Sequence, residues 1–384
     1  MKVFKKDNLI IKSWCENPEQ GALDQAFNTA SAPYIFRQVC LMPDTHQGYG
    51  VPIGGVVATK GVILPEAVGV DIGCGMIAVE TSIDVPSVDQ IKAVMGKIRA
   101  VIPVGMNHRA DKCPISAMPS IGDIISNGIV EREFESARKQ LGTLGSGNHF
   151  LELQKDAKGK LWVMIHSGSR NIGYKVAEHY IDEAKLLNKM WYTNTPEEIC
   201  MLPADSELGI AYAAEMQYCV DFALANRKMM LDDVMAIISH DLGASFKEPI
   251  NIAHNYAAIE HHYGENVIVH RKGATRARLG ELGIIPGSQG TKSYIVEGLG
   301  NPESFQSCSH GAGRTMGRKE ATRVLDLVAE IKILDDQGIV HGIRTAKDLE
   351  EATSAYKDID IVMEEQKDLV KIVTELLPVA VIKG

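Results

Sequence analysis

The chain has 384 residues, 45% of them hydrophobic and 23% charged, an ordinary globular composition with enough apolar mass for a sizeable core. Its 40 Lys and Arg against 49 Asp and Glu give a net charge of −9, which excludes a surface that coats nucleic acid over its whole area and makes any phosphate-backbone contact local. Seven cysteines with no Cys-x-x-Cys pair argue against a disulfide-stapled secreted domain, and no run of about 18 apolar residues suggests a membrane span.

The opening MKVFKKDNLI lacks the apolar stretch and cleavage site of a secretory signal, so a reduced cytoplasmic setting is expected. Short apolar strands between glycine turns are predicted over Ile53–Lys60 and Met76–Glu80. Ser87 reads as the N-cap of a helix on which Ile91, Val94, Met95 and Ile98 recur at helical spacing. Residues 102–122 mix Pro, Gly and Met and read as a loop. Strand Leu161–Ile165 precedes helices over Tyr174–Met190 and Asp205–Leu242, the second with Ile210, Ala214, Tyr218, Phe222 and Ala225 on one face. Asn266–His270 and Ser293–Glu297 read as strands beside small-residue turns, and a last amphipathic helix is predicted from Ile361 to Leu377. No repeat, low-complexity tract or linker divides residues 1–384, so one interleaved α/β domain is expected.

A lone histidine is more often a surface or hydrogen-bonded core residue than a ligand, and His108, His179, His240, His261, His262, His270 and His341 are read that way. Four others sit among small or amide residues that leave backbone N–H groups accessible. They are His149 in GTLGSGNHFLE, His166 in VMIHSGSR, His254 in NIAHNYA and His310 in SCSHGAGR. In VGVDIGCG, Asp71 and Cys74 share a glycine-rich turn and can both face a cation; by itself this segment fits a buried thiol and a turn-forming carboxylate equally well. Together with the histidines, metal binding is the favoured reading. Mixed Cys, His and Asp donors point to zinc, manganese preferring harder oxygen ligands. Asp44 and His46, in LMPDTHQGYGVPIGG, either touch substrate or shape a turn, and Cys308 reads as a packed thiol.

The sequence has no G-x-x-x-x-G-K-[ST] loop, and its Gly-x-Gly triplets at 48–50, 73–75, 145–147 and 311–313 lack the third glycine of a dinucleotide fingerprint. Cations nevertheless accompany the small-residue turns: Arg170 in HSGSR, Arg271, Lys272 and Arg276 in HRKGATRA, and Arg314 and Arg318 in HGAGRTMGR. Guanidinium groups beside unobstructed backbone suit bidentate phosphate contacts. A metal cluster next to such groups points to phosphoryl or nucleotidyl transfer. A metal-dependent phosphoesterase or nuclease would use the same cations, and a non-catalytic, metal-stabilised RNA-binding protein is a third reading that the acidic charge disfavours.

Taken in order, VGVDIGCG, LGTLGSGNHFLE, HSGSR, HNY, IIPGSQGTKS, SCSHGAGR, AYKDID and the closing IKG resemble the RtcB family of RNA ligases, over a span from about residue 40 to the last. The resemblance implies a mixed α/β (α+β) domain with mixed sheets around a central metal and nucleotide cleft. It implies two Mn²⁺ ions bridged by Cys74, with Asp71, His149, His166 and His254 as the remaining protein ligands, and His310 as the nucleophile that takes GMP from GTP. By the same matching Asn148, His149, Phe150, Leu151, Glu152, His254, Asn255, Pro286, Gly287, Ser288, Gln289, Ser293, His310, Gly311, Ala312, Gly313 and Lys383 would line the GMP site. Asp44, His46, Arg170, Lys272, Arg314 and Arg318 would hold RNA phosphates or complete the pocket. Similar enzymes pass GMP from the histidine to an RNA 3′-phosphate, which a 5′-hydroxyl end then attacks; a 2′,3′-cyclic phosphate is first opened. The implied partners are such RNA ends and, in some relatives, an archease activator, and a monomer is expected.

Overall fold

A computed structural model describes residues 1–122, 128–193, 195–196 and 198–384. The chain opens with β1 (Lys2–Lys6), β2 (Leu9–Ser13), α1 (Gln20–Ala30), β3 (Ile35–His46), β4 (Ile53–Thr59) and β5 (Val62–Ile63). Then come β6 (Gly75–Asp84), α2 (Val88–Val101), α3 (Ile129–Gln140), β7 (Phe150–Asp156), β8 (Lys160–Ser167), α4 (Arg170–Met190), β9 (Leu202–Pro203) and α5 (Glu207–Leu242). Strands β10 (Ile250–Ala253), β11 (Asn255–His262), β12 (Glu265–Lys272), β13 (Ala274–Arg276), β14 (Leu282–Ile285), β15 (Ser293–Gly298) and β16 (Ser307–Ser309) follow, and α6 (Arg318–Val324), α7 (Leu327–Asp335), α8 (Ile359–Glu365) and β17 (Val370–Lys383) close it.

The architecture is mixed α/β. One sheet has six strands in the order β1-β2-β3-β4-β12-β11, with β2 and β3 parallel and the other pairs antiparallel. The other has seven, β10-β6-β8-β7-β17-β15-β14, all antiparallel. It coils until its edge strands β10 and β14 meet, an extreme of the twist natural to sheets. Alternation sorts its side chains: Ile77, Val79, Leu151, Leu153, Val163 and Ile165 pack against Ile91, Val94, Met230 and Val234 of α2 and α5, while Met76, Ala78, Phe150, Trp162 and Met164 face Ile284, Ile295 and Leu376 inside the coil. A second core joins the sheets through Cys40, Met42, Val267 and Val269 on one side and Tyr294 and Val296 on the other.

Local signals explain several boundaries. Ser87 and Gln90 form a reciprocal capping box on α2, and α5 starts at a Ser206 cap and ends at Gly243, whose φ of 70° only glycine adopts freely. One expectation fails, and one helix forms where none was predicted. The helix predicted over 361–377 stops at Glu365, and Val370–Lys383 instead forms β17, paired with β15 and β7. Val370, Ile372, Val373 and Thr374 are β-branched, and hydrogen bonding on both sides outweighs their accidental helical spacing. No helix is predicted over Ile129–Gln140, yet α3 forms there, with Ile129, Val130, Phe134 and Ala137 packed at helical spacing against the helical core.

At one crossing the chain passes from one sheet to the other through a single residue. Strand β10 pairs with β6 and β11 with β12, and only His254 lies between them.

Candidate active site

Strands β6, β8 and β7 are neighbours whose registers set Gly75 opposite Ser167 and Phe150 opposite His166. Cys74, His166 and His149 therefore meet at one sheet end. Cys74 Sγ lies 3.5 Å from His149 Nε2 and 3.3 Å from His166 Nε2. His149 Nε2 is 3.0 Å from Asp71 Oδ2, and His166 Nε2 is 3.4 Å from His254 Nε2. Two triads share the thiol, Asp71–Cys74–His149 and Cys74–His166–His254, the ligand atoms of each within 4.8 Å of one another.

Burial and the Asp71 charge push the Cys74 thiol well above its usual range, and burial holds His166 and His254 well below theirs. Buried lone pairs thus crowd together with little positive charge among them, an arrangement that a cation resolves. The donor set fits metal ligation.

Outer contacts orient these donors. His166 Nδ1 lies 3.1 Å from Asn148 O, and Ser169 N–H donates to Asp71 Oδ1 at 3.2 Å. Asn255 donates to Asp71 O and accepts from Gly273 N–H, bracing the metal turn. Arg227 of α5, fully buried, donates to Gly73 O at 3.0 Å and Ser167 O at 2.8 Å, while Asn226 Oδ1 accepts the N–H groups of Gly142 and Thr143. Nothing in the sequence marks these two, which look like any polar residues on a scaffold helix.

His310 follows β16. Its Nδ1 lies 2.5 Å from Oδ2 of the fully buried Asp44, an oxygen that also accepts the N–H groups of His310 and Gly311 at 3.0 and 3.2 Å. With Nδ1 facing the carboxylate, Nε2 is the ring nitrogen left for chemistry. The ring stands 4.8 Å from that of His254, so this pair adjoins the donor cluster. Its seat demands glycine twice: a Cβ on Gly313 (φ +74°) would lie 2.2 Å from Asp44 O, and one on Gly273 (φ +62°) 3.0 Å from His310 Cε1. His46 Nδ1 lies 3.0 Å from Asp44 O.

His310 and His166 open onto a cleft of about 700 Å³, whose walls include His46, Asn148, Phe150, Glu152, Pro286, Gly287, Ser288, Gln289, Gly311, Ala312, Gly313, Arg314, Arg318 and Lys383. Burial pushes the Glu152 carboxyl up to about 7. Five of the expected lining residues stand back: His149 and His254 belong to the donor cluster, Asn255 braces the Asp71 turn, Leu151 points into the helix-side core, and Ser293 Oγ accepts from Gly287 N–H. Among the residues that the sequence did not single out, Glu351 and Tyr356 join the cleft. Arg314, Arg318 and Lys383 lie 3.2, 2.7 and 3.9 Å from the Glu351 carboxylate, to which Tyr356 donates its hydroxyl. Three cations on one carboxylate leave this wall positive, as an anionic ligand requires.

The other cations divide. Arg170 sits behind Asp71 with φ +60°, donating to Thr143 Oγ1 and Gly105 O. Lys272 is placed away from the cleft: it is buried, and its ammonium donates to Tyr49 O. Arg271 is locked onto Glu260 at 2.6 and 3.1 Å and Arg276 onto Glu281 at 2.6 Å. His262 pairs with Glu260, and His270 accepts from Leu64 N–H, both core histidines.

Sheets meeting at a mixed thiol, imidazole and carboxylate cluster, with a histidine beside a carboxylate facing a cleft that carries three cations on one wall, fit a group-transfer enzyme. A family model described as "tRNA-splicing ligase RtcB" matches residues 25–129 and 120–384, and the chain belongs to that family of ligases. It is similar to "RNA-splicing ligase RtcB1" of Escherichia coli, 37% identical over 410 aligned residues that cover 100% of this chain and 99% of the relative. It is also similar to "tRNA-splicing ligase RtcB" of Thermococcus kodakarensis (32%, covering 100% and 94%) and "RNA-splicing ligase RtcB" of Mycobacterium tuberculosis (31%, covering 94% and 100%). Among the described residues no helix is long and apolar enough to cross a membrane.

Proposed function

We propose that this chain is a GTP- and Mn²⁺-dependent RNA ligase that joins 3′-phosphate or 2′,3′-cyclic phosphate ends to 5′-hydroxyl ends through GMP carried on His310. Residues 1–384 act as one catalytic domain, monomeric and cytoplasmic. The observation that carries the reading is His310, held by Asp44 2.5 Å away, beside the two triads that share Cys74. The donors alone would also accept zinc; the family resemblance favours manganese.

Asp71, Cys74, His149, His166 and His254 would hold the metal, which when bound supplies positive charge to phosphate oxygens. His310 Nε2 attacks the α-phosphorus of GTP: the N–P bond forms, the α–β anhydride bond breaks and pyrophosphate leaves. Asp44 keeps the proton on Nδ1 and stabilises the positive ring that develops. Arg314, Arg318 and Lys383 orient the anionic substrate from the Glu351 wall. A 3′-phosphate oxygen of the RNA then takes GMP from His310, restoring the free imidazole. Attack of the 5′-hydroxyl on that 3′-phosphorus forms the phosphodiester and releases GMP. A cyclic phosphate is first opened by water.

Incubation with Mn²⁺ and α-labelled GTP, followed by denaturation, is expected to leave acid-labile label on the wild type and none on His310→Ala. Metal-loaded wild type that takes no label, with or without an archease, would favour the phosphoesterase alternative, which shares the cluster but needs no nucleophilic histidine.

A further inference from the structure

Of the cations grouped by sequence, Arg271, Arg276 and Lys272 are engaged within the protein, and the net charge is −9. Charge alone is a weak means of holding a strand here. The rim of the cleft offers another. Gln47 and Gly48 line it, and next to them Tyr49 is 53% exposed.

The backbone beneath this exposed ring is fixed. Gln25 donates to Gly48 O at 2.8 Å and accepts Gly48 N–H at 3.1 Å. Lys272 Nζ donates to Tyr49 O at 2.5 Å. Gly50, at φ +65°, passes so near its neighbour that a Cβ would lie 2.4 Å from Glu198 O. At the phenol end, Lys185 Nζ donates to Tyr49 Oη at 3.2 Å and stands 5.4 Å from the ring centroid. A large aromatic surface on a braced backbone loses little entropy when it is covered. The same strand end adjoins the chemistry: a Cβ on Gly69, in the turn that leads to Asp71, would meet the Lys272 stem at 3.5 Å, and one on Gly273 would meet the His310 ring at 3.0 Å.

We propose that Tyr49 is a stacking platform for an unpaired base of the RNA strand whose end lies at His310, with Lys185 meeting that nucleotide's phosphate. The proposal rests on the RNA-ligase reading above. Stacking on an aromatic face is tolerant of base identity and pairs naturally with an adjacent cation.

The test compares wild type with Tyr49→Ala, Tyr49→Phe and Tyr49→Trp in sealing single-stranded RNA ends, with RNA-free guanylylation of His310 measured in parallel. The apparent KM for RNA is expected to rise about tenfold in the alanine variant, the loss of one stacked base, and to stay near wild type in the phenylalanine and tryptophan variants, with guanylylation equal in all four. 2-Aminopurine placed a few nucleotides from the 3′-phosphate in one arm and from the 5′-hydroxyl in the other should be quenched by wild type and not by Tyr49→Ala, the quenched arm naming the strand that stacks. An unchanged KM in the alanine variant, a phenylalanine variant as impaired as alanine, or no quenching in either arm would overturn the platform. Absence of guanylylation in the wild type would count instead against the ligase reading.

Discussion

Asp44 shows how much one buried carboxylate can do: a single oxygen receives two backbone N–H groups and faces His310 Nδ1. Asp44→Asn keeps the volume but loses the anion that steadies the imidazole. Single-turnover guanylylation is expected to slow by about 100-fold or more, and a rate within a few-fold of wild type would remove Asp44 from the chemistry. At this scale the sequence was informative where an unusual residue sat in an unusual setting. Asp71, Cys74, His149, His166, His254 and His310 all stand out against glycine-rich surroundings, and the structure brings them together. Glu351, Tyr356, Asn226 and Arg227 do not stand out, because what distinguishes them is a distant partner. Arg227 reaches a carbonyl 154 residues away and Glu351 a guanidinium 33 residues away, and no local pattern encodes such pairings.

Among elements, those with local punctuation were legible: α2 with its capping box and α5 with its Ser206 and Gly243 ends. Strand β17 was not, since its fate is decided by β7 and β15 on either side rather than by its own spacing. The turn between β16 and α6 carries the chemistry on a backbone with no slack. Gly313→Ala would put a Cβ 2.2 Å from Asp44 O at a φ of +74°, for an expected cost of roughly 1–3 kcal/mol from the strained conformation and displacement of His310. Thermal unfolding and guanylylation should fall together; a variant as stable and active as wild type would show that the turn can relax.

For the whole molecule, the junction of β11, β12 and the Phe305–Ser307 segment rests on one buried ion pair. Arg271 donates to Glu260, to Ser307 Oγ and to Phe305 O. Burial raises the Glu260 carboxyl, but the Arg271 charge and the hydrogen bonds from His262 and Arg271 outweigh it and pull the group down to about 2. A depressed carboxyl contributes stability above its ordinary value of 4.5 and loses it as pH falls toward 2. Glu260→Gln should therefore be less stable than wild type near neutral pH, with the gap narrowing in denaturant melts between pH 4.5 and 2; a gap constant with pH would mean that packing, not charge, is what Glu260 supplies.

The crossing at His254 governs how the site can vary. Cys74, His149 and His166 stand at the end of the seven-stranded sheet, Asp44 belongs to the six-stranded one, and the connection between β10 and β11 is one residue long. A residue inserted there would slip one strand against its partner and turn its side chains to the opposite face. The spacing between nucleophile and donor cluster is thus a length written into the chain, and this joint tolerates neither insertion nor deletion.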